Sequence, residues 1–109
     1  MVEVTILKRD ADWIGFKAEG HAAYAAPGED IYCAGVSAVT QTALLGLMKH
    51  LRQMPVYEIK DGCLHCFLPA NLSREDRQKA NVILSTMEMG LRSMQEAYPQ
   101  YVKVSGGGF

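Results

Sequence analysis

The sequence predicts an α/β protein of the α+β type, a small sandwich in which two long helices pack on a mainly antiparallel sheet in the order ββαββαβ. Several short segments alternate apolar and polar residues, which is typical of half-buried strands. Two longer segments repeat their apolar residues at helical spacing instead. In addition, Asp61-Gly62 separates two of the strand segments, and this dipeptide favours a tight antiparallel hairpin.

The first two predicted strands form an antiparallel pair. Apolar and polar residues alternate over residues 2–6 and again over residues 14–19. An Asp-Ala-Asp sequence at residues 10–12 supplies the turn between them.

The first helix is predicted from Ile31 to Arg52, with Asp30 as its N-cap. Its apolar residues recur at intervals of three and four, so we expect one side of the helix to be buried. The hairpin follows, with strands over residues 57–60 and 64–68.

The second helix begins after Ser73, in a sequence that resembles a capping box with Asp76 where Glu is more usual. Pro99 ends it, and residues 101–104 form a last short strand. Residues 105–109 contain three consecutive glycines, so we expect a flexible C-terminal tail after a single domain of residues 1–104.

Composition restricts the class of protein. The 109 residues are 49% hydrophobic and 21% charged, which is typical of one globular domain. The net charge of −1 argues against a phosphate-binding surface, so we expect no direct nucleic-acid partner. The sequence has no signal-peptide pattern, and its longest uncharged stretch, Cys33 to Met48, is shorter than the ~20 residues of a membrane span. We therefore expect a cytoplasmic protein without membrane contact, whose three cysteines are reduced.

His21 and Cys33 are the candidate catalytic residues. His21 follows the second strand, Cys33 lies near the start of the first helix, and eleven residues separate them. A thiol attacks best as the thiolate, which both a helix N-terminus and a neighbouring imidazolium favour. The imidazole can then act as base and acid, and free N–H groups of the same helix turn can bind an oxyanion. On spacing alone, however, structural roles for both residues are favoured over catalysis.

The residues around this pair resemble a known family. The resemblance is to the signature of the bacterial ribosomal-processing cysteine proteases, called Prp, and rests on Gly20-His21-Ala22, Tyr24, Gly28-Glu29-Asp30-Ile31, Cys33-Ala34 and Val36-Ser37-Ala38. It implies an α/β sandwich and a homodimeric cysteine endopeptidase that removes the N-terminal extension of a large-subunit ribosomal protein. It also implies that Cys33 is the nucleophile and His21 the base. Tyr32 departs from the family, which more often has an aliphatic residue at this position.

Five further residues are candidates for substrate binding or for shaping the loop between His21 and Cys33. Glycines at two of these positions permit unusual backbone conformations, and Tyr24 is a candidate lid. Ser37 lies one helical turn after Cys33. Asp30 could orient His21, although helix capping explains it without a catalytic role. The five residues are Gly20, Tyr24, Gly28, Asp30 and Ser37.

Cys63 and Cys66 have a spacing that also occurs in zinc sites. They fall on a predicted strand, where positions i and i+3 face opposite sides, and no second ligand pair follows. We therefore predict no metal site and no cofactor, with Cys66 as part of the core. Three hypotheses remain: a cysteine endopeptidase that forms an acyl-enzyme, a non-catalytic module that binds a ribosomal protein or assists ribosome assembly, and, ranked last, a metal-binding regulator.

Overall fold

A computed structural model describes residues 1–20, 29–60 and 62–108, with the side chains of residues 29, 30, 107 and 108 outside that description. The predicted element order is confirmed. The elements are β1 (Val2–Arg9), β2 (Asp12–Glu19), α1 (Glu29–His50), β3 (Val56–Lys60), β4 (Cys63–Phe67), α2 (Arg74–Ala97) and β5 (Val102–Gly108).

The five strands form one mixed sheet in the order β3-β4-β2-β1-β5. Three of the four pairings are antiparallel, and only β1 and β5 run parallel. The prediction of a mainly antiparallel sheet is therefore confirmed, and the one parallel pair joins the first strand of the chain to the last.

Both helices lie on the same face of the sheet. Alternate residues of the inner strands point toward them and are buried, including Val4, Ile6, Phe16 and Ala18. The helices contribute a matching set of buried side chains: Val36, Ala43, Leu44 and Leu47 from α1 and Ala80, Leu84, Met87 and Leu91 from α2. Burial of this apolar surface supplies the main stabilising free energy of the fold.

Gly15 allows β2 and β4 to approach closely. A Cβ atom at this position would lie 2.2 Å from the backbone oxygen of Cys66. Any other residue at this position would therefore push β2 and β4 apart.

The start of α1 differs from the prediction. The backbone is already helical at Glu29, so Asp30 lies inside the first turn and is not the N-cap. The residue before Glu29 lies outside the described residues. Asp30 still lies in the first turn of the helix, where a negative charge interacts favourably with the helix macrodipole. This preference for acidic residues near the start of a helix is why the sequence around Asp30 resembles a cap.

At the start of α2 the structure shows only the serine half of the predicted capping box. The Ser73 hydroxyl accepts a hydrogen bond from the Asp76 N–H at 3.1 Å, as a capping serine should. The Asp76 carboxylate does something else: its Oδ2 accepts hydrogen bonds from the N–H groups of Arg52 at 2.9 Å and Gln53 at 3.4 Å. Asp76 thus joins the start of α2 to the chain that leaves α1.

The end of β5 corrects the prediction of a flexible tail. The strand continues past Val104 to Gly108, and residues 105–108 pair with Thr5 to Lys8 of β1. Three consecutive glycines have no side chains whose pattern could predict a strand. The strand is defined here by its backbone pairing with β1. Phe109 lies outside the described residues.

Helix α1 is unusually apolar over most of its length. In the described part of the chain it is the one helix that could cross a membrane by length and composition, with a mean hydropathy of 1.5 over Ile31–His50. This segment includes Lys49, so it is longer than the uncharged stretch from Cys33 to Met48. Buried core helices of water-soluble proteins can have the same length and hydropathy. Only 28% of this segment of α1 is buried, however, so the helix leaves apolar surface exposed.

Candidate active site

Cys33 is the fifth residue of α1, and its side chain is a partly exposed free thiol. In an α-helix each N–H bonds to the carbonyl four residues earlier, so the N–H groups of residues 29–31 have no carbonyl partner within α1. Together with the helix dipole they give this end of α1 a partial positive charge. The thiol of Cys33 therefore lies one helical turn from the positive end of α1.

Gly20 places the end of β2 against this thiol. A Cβ atom added to Gly20 would lie 3.1 Å from the Cys33 Sγ. The Gly20 N–H also donates a hydrogen bond to the Gly62 carbonyl at 3.3 Å, which ties β2 to the β3–β4 hairpin. His21 follows Gly20 in the sequence but lies outside the described residues, so its pairing with Cys33 stays a prediction.

A small cavity of about 60 Å³ surrounds this contact. Three of the predicted site residues line it: Gly20, Cys33 and Ser37. The structure thus brings together residues from the end of β2 and two successive turns of α1. Whether Ser37 contributes to binding or chemistry stays a prediction.

The other predicted loop residues are not placed by the structure. Tyr24 and Gly28 lie outside the described residues, and only the backbone of Asp30 is described. Their proposed roles as lid, loop and orienting group stay predictions.

The β3–β4 hairpin supplies a wall of the cavity that the sequence did not indicate. Ile59, Gly62 and Cys63 all line it. Asp61-Gly62 correctly predicts the hairpin, and Gly62 has the positive φ of 81° that such a turn requires. Nothing local to the hairpin indicates that its tip packs against Gly20, because that contact spans more than forty residues of sequence.

Tyr32 holds the first turns of α1 in place. Its ring stacks on Tyr101, with centroids 4.4 Å apart and planes within 7°, and it meets Tyr98 at 4.9 Å. Partial desolvation raises the pKa of the Tyr32 phenol, and the neighbouring phenols of Tyr98 and Tyr101 add to this. Tyr32 thus makes an aromatic contact between the residue before Cys33 and the segment joining α2 to β5.

Cys66 and Cys63 point in opposite directions, as predicted for positions i and i+3 of a strand. Cys66 is fully buried in the core, and burial raises the pKa of its thiol to about 12. Cys63 is partly exposed. Among residues 1–20, 29–60 and 62–108, no group of three or more His, Cys, Asp or Glu side chains could hold a metal ion.

Comparison with known proteins adds independent information. The profile of the family described as "Cysteine protease Prp" matches residues 1–103. The ribosomal processing cysteine protease Prp of Bacillus subtilis strain 168 is 32% identical over 108 residues, which cover 96% of each chain.

Two crystal structures of an essential ribosomal processing protease, Prp, from S. aureus have the same fold. The complex with a substrate peptide has a TM-score of 0.84 at 24% identity. The complex with a covalently linked product peptide has a TM-score of 0.80 at 25% identity. Each comparison covers 98% of this chain and 100% of the S. aureus chain.

Proposed function

Because this chain belongs to the Prp family of cysteine proteases, we propose that it removes the N-terminal extension of a large-subunit ribosomal protein. The observation that carries the proposal is the contact of Gly20 with the Cys33 thiol at the positive end of α1. It supports a reacting centre formed by Cys33 and by His21, the residue after Gly20. The B. subtilis relative is named for ribosomal processing, and an S. aureus relative holds a covalently linked product peptide.

The proposed reaction starts with transfer of the Cys33 proton to the His21 imidazole. The thiolate attacks the carbonyl carbon of the scissile bond, and the carbonyl electron pair moves to oxygen. When the oxyanion collapses, the C–N bond breaks, and the leaving amine takes the proton from His21. The acyl group is then held on Cys33 as a thioester.

Water completes the cycle. His21 removes a proton from water as the water oxygen attacks the thioester carbon. The C–S bond then breaks, which releases the new carboxyl terminus and returns sulfur as the thiolate. No metal or organic cofactor takes part in this scheme.

The N-terminus of α1 has two roles in the proposal. Its partial positive charge lies close to the negative sulfur that forms when Cys33 gives its proton to His21, and the N–H groups of its first turn are the candidate donors to the oxyanion. Ser37, one turn further along the same helix, lines the cavity, which supports its proposed contact with the substrate. Tyr24, Gly28 and Asp30 belong to the segment that we expect to complete the site around the bound peptide.

The active form in this proposal is a cytosolic homodimer that binds neither nucleic acid nor membrane. An apolar groove of about 480 Å³ runs between α1 and α2, lined by residues that include Val39, Thr42, Val82 and Met87. Val82 is 65% exposed in the single chain. A second copy packed over this groove would remove apolar surface from water, which favours association.

The experiment that tests the function is a cleavage assay with a peptide that copies the extended N-terminus of the ribosomal protein of the same organism. Mass spectrometry of the products identifies the scissile bond. Cys33→Ser and His21→Ala should each lower kcat/KM at least 100-fold while the circular dichroism spectrum stays that of the wild type. His50→Ala, the matched control, changes an exposed histidine at the opposite end of α1 and should keep more than half of the activity. Near-normal cleavage by either of the first two variants would refute the dyad.

A further inference from the structure

Within residues 1–20, 29–60 and 62–108, strand β3 is an edge strand of the sheet. It is the first strand in the order β3-β4-β2-β1-β5, and its five side chains are all exposed. Three of them are apolar and large: Val56 is 69% exposed, Tyr57 44% and Ile59 54%. Soluble proteins usually protect such an edge with charges, bulges or a covering element, because it can pair with another extended chain.

The hairpin register identifies the backbone groups of β3 that face away from β4. Lys60 pairs with Cys63 across the two-residue turn, and such a turn closes on a hydrogen-bonded pair. Hydrogen-bonded and non-hydrogen-bonded pairs then alternate along the ladder. The N–H and C=O groups of Tyr57 and Ile59 therefore point away from β4, and offer two donors and two acceptors to an added strand.

The side chains of the same two residues lie on the helix-facing side of the sheet. Tyr57 pairs with Cys66 and Ile59 with Leu64, and both partners are buried under the helices. The helices do not reach far enough to cover β3, so Tyr57 and Ile59 remain exposed beside the covered core. An extended peptide on this edge could place alternate side chains against them.

The edge is continuous with the candidate active site. Ile59 lines the same cavity as Cys33 and Gly20, and the adjoining turn is joined to Gly20 by the hydrogen bond at Gly62. The C-terminal end of β3 is therefore the end nearest Cys33. A peptide that pairs with β3 would leave the edge at the thiol.

From this geometry, and resting on the proposed function, we propose that the substrate binds as an added β-strand on β3. About three residues on one side of its scissile bond pair with residues 57–59 through backbone hydrogen bonds. The occupant is a peptide because Tyr57 and Ile59 offer backbone donors and acceptors beside exposed apolar side chains, which is the pattern of strand addition. The charged side chains of Glu58 and Lys60 lie on the opposite face of the strand. Tyr57 and Ile59 then act as specificity-determining residues that favour apolar substrate side chains.

A scan with N-methylated peptides tests the pairing on the wild-type protein. Each peptide of the cleavage assay carries one N-methyl group, which removes one N–H donor. We expect kcat/KM to fall about tenfold at alternate positions on one side of the scissile bond and to change little at the positions between them, since one backbone hydrogen bond is lost each time. Losses without this period of two, or no losses, would overturn the proposal.

A proline variant tests the same pairing from the protein side. Tyr57→Pro removes an outward N–H that the β3–β4 ladder does not use, and proline is tolerated at such edge positions. We expect at least a tenfold loss of kcat/KM relative to Tyr57→Val, which keeps the N–H and loses the ring. The rate of Cys33 alkylation by iodoacetamide should be equal in the two variants. Equal kcat/KM would count against the proposal, as would a changed oligomeric state with unchanged cleavage, which would make a second copy the occupant of this edge.

The two proposals fail in distinguishable ways. If the wild-type protein does not cleave the parent peptide, the proposed function is wrong. The N-methyl scan then measures binding of fluorescein-labelled peptides by anisotropy to Cys33→Ala. Weaker binding at alternate positions supports the edge-strand proposal, and uniform or absent binding overturns it.

Discussion

Gly20 is the residue on which the geometry of the candidate site depends most directly. A methyl group there would approach the Cys33 Sγ to 3.1 Å, closer than ordinary van der Waals contact, and the thiol would have to turn away. We expect Gly20→Ala to lower kcat at least tenfold and to lower the free energy of unfolding by only about 1–2 kcal/mol. Steady-state kinetics and urea denaturation measure the two effects.

Gly106→Ala is the matched control for this substitution. A Cβ atom at Gly106 would have no neighbour within 4 Å, so its effect on unfolding should stay within about 0.5 kcal/mol and kcat should not change. If Gly20→Ala turned over substrate at the wild-type rate, the contact with Cys33 would not matter for catalysis.

Cys66 gives the protein a predictable sensitivity to alkaline pH. Burial raises the pKa of its thiol from 9.0 to about 12, so between these values the unfolded chain loses a proton that the folded chain keeps. Stability from this group is therefore fully present below about pH 9, and falls by up to about 1.4 kcal/mol per pH unit above it. Urea unfolding at pH 8.0, 9.5 and 10.5 measures the slope.

Cys66→Ala isolates this contribution from that of other groups, such as the Tyr32 phenol, whose pKa is also raised. The variant should be less stable at pH 8 because it leaves a cavity, but its stability should fall less steeply above pH 9. Identical slopes for the two proteins would show that burial does not raise the pKa of the Cys66 thiol in the folded protein.

At the scale of elements, α1 is fixed at both ends by side chains that belong to other parts of the chain. The Tyr32 stack holds its first turns beside the segment between α2 and β5. The Asp76 carboxylate accepts hydrogen bonds from two N–H groups that lie just after the last turn of α1. The position of Cys33 relative to the sheet is thus defined by contacts at two separate places along the helix.

Asp76→Ala tests the second attachment. Asp76 is 2% exposed, so its loss leaves the N–H groups of Arg52 and Gln53 without their acceptor. We expect the free energy of unfolding to fall by about 2–4 kcal/mol, measured by chemical denaturation. Ser73→Ala is the control, because it removes only the cap of α2 and should cost about 1 kcal/mol. Equal losses would mean that the link to α1 adds nothing.

The elements differ in how far the sequence could predict them. The alternation in β1 and β2, and Asp61-Gly62 in the hairpin, are local signals, and they place those strands correctly. The extension of β5 through Gly108 depends on its pairing with β1, which no local pattern encodes. The candidate site shows the same difference between local and long-range signals. The sequence predicts Gly20, Cys33 and Ser37 as site residues. The cavity wall formed by Ile59 and Cys63 depends instead on a contact between segments that lie far apart in the sequence.

At the scale of the whole molecule, the uncovered apolar groove between the helices determines the expected oligomeric state. Val82→Glu places a charge in this groove at a position 65% exposed in the single chain, so the fold should tolerate it. We expect the variant to be monomeric by sedimentation equilibrium at concentrations where the wild type is dimeric, since the buried charge would be unpaired.

Met54→Glu is the control for the dimer. Met54 is also exposed, at 52%, but it does not line the groove, so the variant should remain dimeric. A wild-type protein that sediments as a monomer at micromolar concentration would refute the homodimer.

The pairing of the first strand with the last has a consequence for biosynthesis. Val2 lies beside Val102, so β1 must wait for a partner that is translated about one hundred residues later. Contacts between such distant positions form slowly, because the chain between them must be ordered first. The nascent chain can assemble its hairpins during translation, but β1 stays without its β5 partner until residues 102–108 have been translated. The sheet of this protein is therefore completed only after β5 has been synthesised, and translation that stopped earlier would leave β1 as an edge strand.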